Sequence, residues 1–139
     1  MLMVAPNEGK TYLLDWMIRT NGSAANLSIQ LFSNDFTPDN DSVLADFDLA
    51  TFTGSDPLTL TRSAWDAPFV ASDVAYIEYP TPPTWVCSGG GPQTCYGWVA
   101  WEQSGSHVVF AQRFDASRVM DAGATESLVP FVIALQPIV

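Results

Sequence analysis

The densest run of oxygen-bearing side chains is Asn34-Asp35-Phe36-Thr37-Pro38-Asp39-Asn40-Asp41. Hard cations take carboxylate and amide oxygens, so Asp35, Asp39 and Asp41 are the residues that would hold Ca2+. The run has neither the loop glycine nor the closing glutamate of an EF-hand. Asx side chains also bond their own local backbone, so the segment reads as a structural loop and no metal is expected. His107, the single histidine, has no serine or cysteine nucleophile beside it in a recognisable motif and reads as a strand-end residue. Nothing in the spacing pairs any two of the fifteen acidic residues as glycosidase carboxylates. Gly89-Gly90-Gly91 lacks the lysine and the strand-to-helix context of a phosphate loop and reads as a turn. No enzyme and no cofactor is expected.

Cys87 and Cys95 flank that turn in Cys-Ser-Gly-Gly-Gly-Pro-Gln-Thr-Cys. Two readings stand side by side: a disulfide closing a short loop, or two reduced thiols at the ends of a hairpin. Zinc is not expected, because two cysteines and a distant His107 do not complete a tetrahedral site with the usual spacing. The five tryptophans, Trp16, Trp65, Trp85, Trp98 and Trp101, would stack on sugars if several lay on one exposed sheet face. Large aromatics otherwise serve as core or interface anchors.

The elements that position these residues belong to a chain of 139 residues with 5 basic and 15 acidic side chains, a net charge of -10. Binding to nucleic acid or to anionic lipid depends on clustered cations, so neither is expected as a partner. The start, Met1 to Asn7, has no basic segment and no long apolar core, which reads against a secretory leader. No window approaches the ~18 apolar residues of a membrane span. The length suits one domain, and no internal repeat or linker divides it. The reading is a single β-sandwich domain over 1–139.

Lys10 to Thr20 reads as a helix, with Tyr12, Leu13, Trp16 and Met17 in one apolar stripe, Asn7 as its cap and Asn21-Gly22 as its stop. Val43 to Phe47 reads as one helical turn. Strands are expected at Leu27–Phe32, where alternation predicts a half-buried strand, and at Leu58–Arg62, Phe69–Ala71, Val74–Tyr79, Thr84–Cys87, Cys95–Glu102, His107–Phe114 and Ser127–Leu135. Val129 to Val139 reads as buried strand, and 115–125 as a polar stretch with no strong pattern. Gln103-Ser104-Gly105-Ser106 joins two strands at hairpin length. Trp98 and Trp101 point to opposite faces of the first, which therefore needs cover on its second face; the N-terminal helix or another subunit would supply it. The expected fold is mainly β, an antiparallel, jelly-roll-like β-sandwich with a short N-terminal helix.

The order of short motifs carries a resemblance. Tyr12-Leu13-Leu14 is followed by Leu31-Phe32-Ser33-Asn34-Asp35-Phe36-Thr37-Pro38, then Ala45-Asp46-Phe47, Ala50-Thr51-Phe52-Thr53-Gly54 and Trp65. Later come Gln93-Thr94 leading into Tyr96-Gly97, and Ala111-Gln112-Arg113-Phe114. From Tyr12 to Phe114 this series resembles small structural proteins of tailed bacteriophages, although Cys87 and Cys95 are not part of that pattern. The resemblance implies a virion protein made in the host cytoplasm, a capsid decoration or accessory protein. Its partners would be the major capsid protein and copies of itself, a homo-oligomer such as a trimer, with Trp98, Trp101, Val109 and Ala111 as the subunit contact. The competing expectation is a glycan-binding β-sandwich whose exposed tryptophans stack on sugars.

Overall fold

The computed structural model describes residues 6–20 and 25–135. It is mainly β, with antiparallel sheets throughout and one short N-terminal helix, consistent with an antiparallel β-sandwich. In chain order the strands are β1 (Leu27–Phe32), β2 (Leu58–Leu60), β3 (Phe69–Ala71), β4 (Val74–Glu78), β5 (Thr84–Val86), β6 (Gln93–Glu102), β7 (Val108–Met120), β8 (Thr125–Ser127) and β9 (Val132–Leu135). The described residues cluster into two compact units.

The first unit draws on the described residues of 1–24, 61–82 and 129–139. Its helix α1 (Asn7–Leu14) runs into a wider, π-type turn at Asp15–Thr20. Pro6 stands at the cap position, and the Asn7 amide instead donates to the Asp73 carboxylate at 3.0 Å. The expected stop at Asn21-Gly22 lies outside the described residues. The sheet runs β3-β4-β9, antiparallel at each step. Ser72 and Asp73, both at positive φ, make the two-residue turn between β3 and β4, the geometry that matches strand twist. Lys10, the one lysine of the chain, is buried, and its ammonium donates to the Asp73 carbonyl. Trp65 packs edge-on against Tyr79 at 5.1 Å and, tilted at 45°, against Phe131 at 5.7 Å.

The expected terminal strand Ser127–Leu135 is two strands in two different sheets. β8 stops at Ser127 and β9 starts at Val132, because Pro130 between them has no N–H to extend a ladder. Val129 is largely exposed, so only Phe131 and Ile133 carry the buried character expected of this segment; 136–139 lie outside the described residues.

The second unit draws on 25–60 and 83–128. Its main sheet has the order β2-β1-β6-β7, and β5 pairs with β8. The hairpin expected at Gln103–Ser106 is present, with the Glu102 and Ser106 N–H groups donating to the His107 and Glu102 carbonyls, each at 2.9 Å. β7 continues six residues past the expected Phe114. Arg113 pairs with Gly97 and Arg118 with Cys95, so residues 114–117 bulge opposite Tyr96. A bulge of that kind hides the period-2 signal that sequence reading relies on.

β1 is buried on both faces, where alternation predicts half burial. Leu27, Ile29 and Leu31 form the apolar face. On the other, Ser28 and Gln30 are buried with partners: the Gln30 amide donates to the Ala50 carbonyl and the Gln103 amide to the Ser28 hydroxyl, each at 3.0 Å. The β1–β2 connection covers this face. Phe36, Leu44, Phe47 and Leu49 pack over Phe32, Val99 and Trp101, with Phe47 edge-on to Phe32 at 5.1 Å and to Phe36 at 5.2 Å. A loop of the same unit therefore lies over the second face of β6.

Candidate functional site

That covering loop is where the acidic run lies, and its polar side chains serve the loop itself. The Asn34 side chain donates to the Asp46 carbonyl at 2.8 Å and accepts from the Asp48 N–H at 2.9 Å. The Asp39 carboxylate accepts from the Asp41 N–H and the Ser42 hydroxyl, and Asp46 accepts from the Val43 N–H at the head of a 3-10 turn, Leu44–Asp46. Arg113 of β7 fastens the loop from outside, pairing with Asp35 at 2.5 Å, donating to the Phe36 carbonyl at 3.0 Å and lying over the Tyr96 ring. Asp35 thus works as a tether and Asp39 as a turn former, to which Asp41 contributes its backbone N–H. Among the described residues no three His, Cys, Asp or Glu side chains converge on a point where a metal would sit.

Cys87 and Cys95 are both buried free thiols. The Cys87 thiol donates to the Gly89 carbonyl at 3.4 Å. Burial, reinforced by the nearby Glu126 carboxylate, pushes the Cys95 thiol up to about 11. A thiol held protonated is a poor nucleophile. His107 stands largely exposed at the β6–β7 turn, its Nδ1 3.8 Å from Glu102. The Ser104 hydroxyl, with His107 behind it, holds the Glu102 carboxyl below the usual carboxylate range. The glycine-rich turn bonds to the segment at Thr53, whose N–H donates to the Gly89 carbonyl at 2.8 Å.

The tryptophans divide sharply. Trp65, Trp85, Trp98 and Trp101 are all buried, which takes four of the five indoles from any sugar-stacking face. Of the residues expected at a subunit contact, Trp98 and Trp101 are 6% and 9% exposed, and Val109 and Ala111 are half-buried along β7. Val108 to Ala111 form one wall of a cleft of about 340 Å3 whose other wall is Pro38, Asp39, Asn40 and Ser42.

The surface that stands out is on α1 and the π-type turn that continues it. The inward row of the two is Lys10, Leu14 and Ile18. The stripe read from the sequence faces outward: Tyr12 is 69% exposed, Leu13 42%, Trp16 52% and Met17 47%. The signal for this was present, because Leu14 and Ile18 make a second apolar row at i and i+4, and a short helix apolar on two sides can bury only one of them. Flanking the stripe, Glu8, Tyr12, Asp15 and Arg19 line a shallow cleft of about 340 Å3 against Ala67 and Pro68. Arg19 pairs with Asp15 at 3.0 Å, and Arg62 donates to the Met17 and Ile18 carbonyls, which ties down the π-type turn. Compared with known proteins, the chain matches no family model and no curated protein.

Proposed function

We propose that this chain is a virion structural protein, a capsid decoration or accessory subunit that stabilises a particle by packing against its neighbours. The observation that carries the reading is the outward apolar stripe of α1 and the π-type turn that continues it. Four large apolar side chains, Tyr12 and Leu13 on α1 and Trp16 and Met17 on the turn, are left in water, which is unfavourable unless something covers them. The order of motifs from Tyr12 to Phe114, which resembles structural proteins of tailed bacteriophages, supplies the kind of neighbour: the major capsid protein and other copies of this chain. The acidic, lysine-poor surface suits a protein that meets other proteins and not the packaged nucleic acid.

The test is incorporation into particles. Leu13→Ser and Trp16→Ser alter only exposed positions, so each is expected to leave stability within about 0.5 kcal/mol while reducing the amount of chain that cosediments with gradient-purified particles. Undiminished incorporation of both variants would remove the stripe from the account.

A further inference from the structure

We infer that the α1 stripe pairs with the same stripe of a second copy, antiparallel and about a two-fold axis. This rests on the assembly reading above and names the partner of that surface.

The first argument is charge. Glu8 lies at the N-terminal end of the stripe and Arg19 at its C-terminal end, and both line the cleft that borders Tyr12. A two-fold axis crossing the helices near Leu14 sets Tyr12 of each copy against Trp16 of the other. The same axis brings Glu8 of each copy within one residue of Arg19 of its mate. An isologous contact makes every such pair twice, and antiparallel helices also oppose their dipoles favourably. A parallel arrangement would instead set Glu8 against Glu8 and Arg19 against Arg19. Arg19 already holds Asp15 through one nitrogen, Nη1, and a guanidinium has further N–H groups to offer.

The second argument is area. With aromatic side chains of ~150–250 Å2, the exposed fractions of Tyr12, Leu13, Trp16 and Met17 amount to roughly 400 Å2 per copy. A stable pairing takes about 800 Å2 per partner. The stripe alone thus fits a weak dimer, with a dissociation constant between about 1 µM and 1 mM, which a crowded particle surface would make effectively permanent.

Sedimentation equilibrium of the isolated full chain from micromolar to millimolar concentration tests this. The expected result is a monomer–dimer equilibrium in that range. Glu8→Arg and Arg19→Glu should each weaken it about tenfold, because each turns two attractions into two repulsions. An equimolar mixture of the two variants should recover dimer, since the charge introduced into each variant then faces an opposite charge on the other. Far-UV circular dichroism identical to that of the unaltered chain shows that both variants are folded. A chain that stays monomeric at millimolar concentration, one that forms trimers, or a mixture that does not recover dimer would each overturn the pairing. Those outcomes leave particle incorporation, measured separately, as the test of the assembly reading.

Discussion

Gly97 of β6 occupies a site where no other residue fits. It pairs with Phe32 of β1 on one side and with Arg113 of β7 on the other. A Cβ built on Gly97 would lie 2.2 Å from the Gln112 carbonyl oxygen and 2.6 and 2.7 Å from two carbons of the Phe32 ring. Contacts below 3.0 Å force something to move. The ring could turn only by displacing Phe47, which packs edge-on to it. The carbonyl could move only with the β7 ladder. Gly97→Ala is therefore an overpacking change with a backbone component, at or above the usual 1–3 kcal/mol, so about 3 kcal/mol of lost stability is expected. Urea unfolding followed by tryptophan fluorescence measures it, since Trp85, Trp98 and Trp101 all lie in this unit. Phe32→Leu, itself costly in a fully buried site, should relieve the ring clash but not the carbonyl clash. The double variant should therefore fall short of the sum of the two single losses, yet stay well below Phe32→Leu alone. A loss under about 1 kcal/mol for Gly97→Ala would mean that the strand and the ring accommodate the methyl group, contrary to this packing.

Three further outcomes are expected. Arg113→Ala should cost about 1 kcal/mol through the hydrogen bond to the Phe36 carbonyl, with little from the exposed Asp35 pair; hydrogen exchange at 35–48 should rise, and Arg113→Lys, which cannot reproduce the planar fork, should not restore it. Both thiols should resist alkylation at pH 8 in the folded chain and react fully in denaturant; with the Cys95 pKa raised to about 11 from 9.0, the unfolded state loses its proton first, so stability should fall as pH rises from 9 towards 11 and level off beyond, a trend that Cys95→Ala abolishes. Lys10→Met keeps the buried stem but removes the donor to the Asp73 carbonyl, and a loss of about 1–3 kcal/mol in thermal or urea unfolding is expected.

Much of the architecture was legible where local pattern and tertiary environment agree. The hairpin at Gln103–Ser106, the turn at Leu44–Asp46 and β4, with its alternating burial, follow from turn chemistry and period alone. β1 was legible as a strand but not as a fully buried one. The partner of Gln30 is the Ala50 carbonyl and that of Ser28 the Gln103 amide, and polar side chains satisfied by distant groups look the same in sequence as solvated ones. The bulge at 114–117 was illegible for a related reason, since only the partner strand shows that four residues oppose one. The exposed stripe was visible as a pattern while its direction was not. Which of two apolar rows a helix buries depends on what it meets, and here Lys10 reaching Asp73 turned the helix toward the Leu14 and Ile18 row.

If this chain is a particle subunit, as proposed above, it is present in purified particles in a fixed proportion. Quantitative mass spectrometry of gradient-purified particles from the source, reporting copies of this chain per major capsid subunit, tests it most directly. A ratio near one or a fixed simple fraction is expected, as the symmetry of a shell imposes. Absence of the chain from the particles would contradict it.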